Sequence, residues 1–174
     1  SGVELQRYTL PAAGGGAVFA ADGKSASIAA QDGSLAVRPV AALAVIRGHE
    51  GAVTSVDFNS NGAQLATGGA DKTVRLWNLT NLADIKEERK FPGSGSEVAA
   101  VAISNDNKYV AAGGADKQVR VWNLADAKEA FTSATPAAVQ SLAFAPNNPR
   151  LAAGAADGRG LLYELASGTL GEEF

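Results

Sequence analysis

Short apolar runs, separated by polar and glycine-rich turns, fill this chain. None keeps a 3.6-residue period long enough for a helix, so the runs read as strands. The first spans residues 3–10 and is interrupted by Pro11 and by Gly14 to Gly16. Runs at 17–20, 25–30 and 34–38 are separated by Asp22-Gly23 and Asp32-Gly33. Asp-Gly between apolar runs is a strong hairpin signal. Pro39 ends the third run, and 41–47 forms a fourth. A second group follows at 53–58, 64–68, 73–77 and 86–91, then a third at 97–104, 108–112, 118–122 and 128–132. The last group is 138–145, 150–153, 159–165 and 169–174. The run KEERKF at 86–91 is charged, which suits an exposed edge strand. The run VAAVAI at 98–103 is apolar at both odd and even positions. Strand side chains alternate between faces, so both faces of such a sheet are expected to be covered. The pattern predicts an all-β chain of four four-stranded antiparallel units.

The units are copies of one another. Residues 69–79 (GADKTVRLWNL) return as residues 114–124 (GADKQVRVWNL). Decayed copies stand at 155–165 (AADGRGLLYEL) and 30–38 (AQDGSLAVR). Their anchoring aspartates, Asp32, Asp71, Asp116 and Asp157, lie 39, 45 and 41 residues apart. A period of this size marks a repeat architecture. The approximate units are 11–47, 48–91, 95–132 and 136–174, within one domain covering 1–174.

Composition narrows the function. The 36 alanines and 20 glycines among 174 residues imply closely approaching sheets. A net charge of −3 without a basic stripe argues against nucleic acid as a partner. No apolar run is long enough for a membrane helix, so no membrane partner is expected. The chain has no cysteine and hence no thiol chemistry. It opens Ser1-Gly2 without methionine and contains no methionine elsewhere. That is consistent with a trimmed start that has lost a targeting segment, or with redesign. Localisation is unassigned, with a soluble cytoplasmic protein as the default expectation.

Gly48-His49 before a first strand, Asp71 in the turn between second and third strands, and Trp77-Asn78 closing the third resemble the WD40 repeat family. Trp122-Asn123 repeats the ending, where the family usually has Trp-Asp. The resemblance covers nearly the whole chain and implies β-propeller blades. It also implies a structural set of four hydrogen-bonded residues, here His49, Thr67, Asp71 and Trp77. The third unit keeps Asp116 and Trp122, with Ser96 near the histidine position and Ala112 at the threonine position. The fourth keeps Asp157, with Ala153 and Tyr163. The first keeps Asp32, with Ile28 and Arg38. In the family, the turns between second and third strands open on one face, which implies a partner-binding face here of Lys72, Asp116, Lys117, Asp157 and Arg159.

No catalytic constellation stands out, and no enzyme is expected. His49 is the only histidine, too few for a metal site without cysteine, so neither metal nor cofactor is expected. Ser55, His49 and Asp71 could be read as a hydrolase triad, but Asp71 belongs to the structural set and no nucleophile-elbow pattern is present. Residues 59–62 and 105–108 lack the spaced carboxylates of a calcium loop and read as turns. Gly14 to Gly16 leads into no phosphate-loop pattern.

Family propellers usually close with seven or eight blades, so four units span about half a circle. Two closures are open: a four-bladed monomer, or a homodimer joined by a two-fold axis into one eight-bladed ring. Either terminus can supply the outer strand of the fourth unit: residues 3–10, with Glu4, Leu5 and Tyr8, or residues 169–174, ending in Phe174. Tyr8 aligns near the register of Phe91, Phe131 and Phe174. Two functions follow. The chain is a non-catalytic scaffold for an unidentified protein or peptide partner that self-assembles through its terminal blades, or it is an engineered or excised half-propeller whose only activity is assembly.

Overall fold

The computed structural model describes residues 14–19, 25–30, 34–39, 44–91, 94–146 and 148–174. The candidate strand at 3–10, with Glu4, Leu5 and Tyr8, and the anchor Asp32 lie outside the described residues. The first sheet contains β1 (Gly14–Phe19), β2 (Ser25–Ala30), β3 (Ser34–Pro39) and β4 (Ala44–Arg47). The second contains β5 (Val53–Phe58), β6 (Gln64–Gly69), β7 (Val74–Asn78) and β8 (Lys86–Phe91). The third contains β9 (Val98–Ile103), β10 (Tyr109–Gly114), β11 (Gln118–Asn123) and β12 (Glu129–Ala134). The fourth contains β13 (Val139–Phe144), β14 (Arg150–Ala155), β15 (Gly160–Glu164) and β16 (Thr169–Glu173). Each sheet is an antiparallel meander in chain order.

At the ends, one expectation changes and one open choice is decided. Gly14 to Gly16 does not interrupt the chain before the first inner strand; it opens β1. The pairing of β1 with β2 shifts register between Gly14 and Gly16. The same irregularity recurs at Val53/Ser55, at Gly113/Gly114 and at Val139/Ser141. All four units therefore share a bulge at the start of the inner hairpin, which bends the strand and sharpens its twist. At the other end, β16 pairs with β15 and supplies the outer strand of the fourth sheet.

Inner strands β1, β5, β9 and β13 lie side by side in that order, and each sheet stacks on the next. No comparable packing joins β13 back to β1 among the described residues, so the blades form an open arc. The apolar core lies between blades. Ala66, Val74, Leu76 and Phe91 of the second blade meet Val98, Val101, Val110 and Trp122 of the third. Ala111, Val119 and Val121 of the third meet Val139, Leu151, Leu161 and Tyr163 of the fourth. Ile46 of the first blade packs with Val53, Leu65 and Trp77 of the second. Sandwiching explains the runs that are apolar at every position. In β6, Leu65 is buried on the first-blade side and Ala66 on the third-blade side.

Glycine sets how closely the blades approach. A Cβ on Gly68 would come 2.5 Å from Val98 Cγ1, and one on Gly113 would come 2.6 Å from Val139 Cγ1. Between the second and third blades, Ser55 Oγ accepts from the Val101 N–H at 3.0 Å and Asp57 Oδ2 from the Ile103 N–H at 2.8 Å. Hydrogen bonds thus supplement apolar contact where inner strands run alongside one another.

Candidate functional site

In the second, third and fourth blades, the loop leading into the inner strand meets the turn between the second and third strands at one end of the blade. In the second blade, Trp77 Nε1–H donates to Thr67 Oγ1 at 2.9 Å. His49 Nε2 lies 2.7 Å from Thr67 Oγ1, and Nδ1 lies 2.9 Å from Asp71 Oδ1. The Asp71 carboxylate can only accept, so Nδ1 carries the proton of the neutral ring, and the Thr67 hydroxyl, which accepts from the indole N–H, donates to Nε2. His49 is then the neutral Nδ1–H tautomer and donates to Asp71. Burial lowers the His49 pKa below its ordinary value, partly offset by the Asp71 carboxylate. Burial opposes ionisation of Asp71, but hydrogen bonds from His49, Thr73 and the Glu50 N–H hold it well below the usual carboxylate range. The four predicted residues are therefore one continuous set. Both histidine nitrogens are occupied, and Ser55 is engaged at the blade interface, so the hydrolase triad does not assemble.

Two glycines make room for this set. A Cβ on Gly69 would come 2.5 Å from His49 Nδ1, and one on Gly48 would come 2.5 Å from Trp77 Cη2. Arg75 extends the set in a way the sequence reading missed. Its guanidinium lies 3.5 Å from Asp71 Oδ2 and 2.6 Å from Glu87 Oε2 on β8. The available signal was the arginine four residues after both Asp71 and Asp116.

The third blade keeps the anchor and loses the relay. The Glu50 N–H donates to Asp71 at 3.2 Å, and the Gly95 N–H donates to Asp116 at 2.8 Å. Ser94, not Ser96, therefore stands at the histidine position. Its hydroxyl donates to the Ser96 carbonyl at 2.8 Å. Thr135 occupies the same place in the fourth blade and donates to the Ala137 carbonyl at 2.7 Å. Both use a short hydroxyl to close the loop locally. Arg120 grips Asp116 Oδ2 at 2.6 Å, while the buried Asp116 Oδ1 has no hydrogen-bond partner among the described residues.

The predicted binding face divides. Asp116 is held by Arg120 and by the backbone. Arg159 pairs with Asp157 at 3.2 Å and with Glu173 at 2.8 Å. Lys72 and Lys117 are exposed and form no ion pair among the described residues. Both sit in the left-handed region, with φ of 65° and 59°, where the fourth blade has Gly158 at 91°. That conformation costs an ordinary residue about 1–2 kcal/mol, yet both lysines project from this face. No group of three metal-ligating side chains occurs among the described residues. No helix among them is long and apolar enough to cross a membrane.

The second surface is the far side of the fourth blade, one of the terminal blades through which self-assembly is expected. Gly154 is in register with Gly68 and Gly113, and Phe174 with Phe91. Phe91 is 1% exposed, whereas Phe174 is 78% exposed. Phe131, aligned with them by period, is two pairs away, opposite Val121.

These blades are those of WD40 proteins. The family model for the WD domain, G-beta repeat, matches residues 41–78, 85–123 and 129–164, and the chain belongs to that family. Each matched repeat begins in the outer strand of one blade and runs through three strands of the next, so the sequence unit ties neighbouring blades together. The chain is 43% identical over 60 residues to the periodic tryptophan protein 2 homolog of Schizosaccharomyces pombe, covering 34% of this chain and 7% of that protein. It is 40% identical over 67 residues to eukaryotic translation initiation factor 3 subunit I of Aspergillus oryzae, covering 34% of this chain and 20% of that one. The chain thus spans a small part of these relatives. A chain in the crystal structure of the mitotic checkpoint complex superposes with a TM-score of 0.87 at 21% identity, over 98% of this chain and 53% of that one. The arc matches about half of that larger fold.

Proposed function

We propose that this chain is a non-catalytic scaffold that binds protein partners and that two copies close into one eight-bladed ring. The observation carrying the reading is the unequal burial of equivalent positions: Phe91 is sealed between blades, while Phe174 stands open. An apolar face shaped for a neighbouring blade favours a second copy, because a two-fold axis buries both raw ends at once. The end carrying Lys72 and Lys117 is the proposed surface for a protein or peptide, since it presents two exposed lysines that form no ion pair among the described residues. Eukaryotic translation initiation factor 3 subunit I is, by its name, a subunit of an assembly, which agrees with a scaffold role.

The test is molar mass by light scattering on a sizing column. Twice the 17.6 kDa chain mass is expected. A single-chain mass over the accessible concentration range would remove the ring closure and leave the scaffold role to a partner pull-down.

A further inference from the structure

An aromatic rule runs through the arc. At each internal interface an apolar residue of one blade's outer strand meets the third-strand aromatic of the next blade. Ile46 clusters with Trp77. The Phe91 and Trp122 rings lie 5.8 Å apart, tilted by 42°. The Phe131 and Tyr163 rings lie 6.4 Å apart, tilted by 33°. Phe174 is the fourth member of the outer-strand series, and its ring lies over Gly160 on the open face. In the first blade, the register position of Trp77, Trp122 and Tyr163 belongs to Arg38, opposite Ala26.

We infer that Phe174 docks on the first blade of a second copy, at the third-strand register position that Arg38 holds, joining the fourth blade of one chain to the first blade of its partner. The inference rests on the ring closure proposed above and specifies its contact. An arginine guanidinium stacks favourably on an aromatic face, so the rule survives the replacement of an aromatic by Arg38. The exposed Ser141 stands where Ser55 stands in the second blade. Ser55 accepts the Val101 N–H, and the matching donor in the first blade is the Ala17 N–H. The first blade places Gly14 and Ala17 where the third has Val98 and Val101. The apolar fill is therefore smaller, and more of the joint falls on Phe174.

Charge exchange tests the pairing. Phe174→Lys should raise the dimer dissociation constant about tenfold or more by facing Arg38 with a like charge. Phe174→Glu should keep it within a few-fold of the parent by forming an ion pair. Adding Arg38→Glu should reverse the order, rescuing Phe174→Lys and weakening Phe174→Glu. Thermal melting of each variant checks that the blades remain folded. Equal weakening by Lys and Glu, unaffected by Arg38→Glu, would overturn the contact while leaving the dimer intact, as would no weakening by either. A parent protein that is monomeric throughout would overturn the closure and the contact together.

Discussion

The second and third blades share nearly the same eleven letters around their aspartates, yet they hold those aspartates differently. In the second, a chain of donors runs from Trp77 through Thr67 and His49 to Asp71. In the third, Ala112 and Ser94 replace the middle of that chain, and Arg120 holds Asp116 alone beside a backbone N–H. Both tryptophans are nevertheless almost wholly buried, and both sheets keep the same register and bulge. The polar relay is therefore an addition to a blade that apolar contact between neighbours already specifies. This matches the modest net value of a hydrogen bond against the larger value of a buried aromatic side chain.

The largest expected effect comes from breaking what the two blades share. Trp122→Ala removes a side chain packed against Phe91 and should cost about 3–5 kcal/mol. Because Trp122 has no relay to support, the loss would be apolar alone. Denaturant unfolding measures it. A loss of about 1 kcal/mol or less would mean that blade contacts do not dominate.

Next in size is the feature only the second blade has. His49→Ala leaves Thr67 and Asp71 without their partner and should cost about 1–3 kcal/mol near neutral pH. The pH dependence follows in sign. His49 titrates lower in the folded chain than in the unfolded one, so the unfolded state binds a proton that the folded state refuses. Its contribution is complete above about pH 6.5, the ordinary histidine value. It declines as the pH falls below that, until the lowered folded value is passed. Asp71, depressed within the folded blade, contributes above about pH 4 and loses that contribution in stronger acid. With one histidine in the chain, the wild-type melting temperature should fall between pH 7 and 5 while that of His49→Ala stays flatter, and the two should converge. Parallel curves would show that His49 is not the titrating group.

The strands and the relay were legible because they rest on short-range pattern and on one well-preserved copy. Turn residues bounded the strands, and His49, Thr67, Asp71 and Trp77 fall within a single unit. The pairing of Arg75 with Glu87 was not legible, because Glu87 sits in a charged outer strand whose register cannot be counted from the turn. Ser94 was misplaced by two residues because the loop before β9 has no histidine to fix its phase. Phe131 was misaligned because the connections into the outer strands differ in length, so the period does not fix their register: Ser133, opposite Val119, stands where Phe91 stands opposite Val74. The exposure of Phe174 depends on what lies beyond the fourth blade, a property of the arc rather than of any local stretch.

The smallest effect is the most discriminating, because it runs in the stabilising direction. If the relay is a local addition to a complete blade, it can be installed in the third. Ser94→His with Ala112→Thr places both missing groups in register with His49 and Thr67, and Gly114 already stands where Gly69 admits the imidazole. The unpartnered Asp116 Oδ1 would gain the donor that Asp71 has. The expected gain is about 1 kcal/mol, the net worth of a hydrogen bond to a charged group less the strain of enlarging Ala112 in a packed interface. Each substitution alone should be neutral or destabilising, since a threonine without the histidine, or a histidine without the threonine, buries a group with an unmet partner. A double-mutant cycle measures this directly: a favourable coupling between positions 94 and 112 is expected. Simple additivity would mean that the second blade's relay depends on surroundings the third blade does not share.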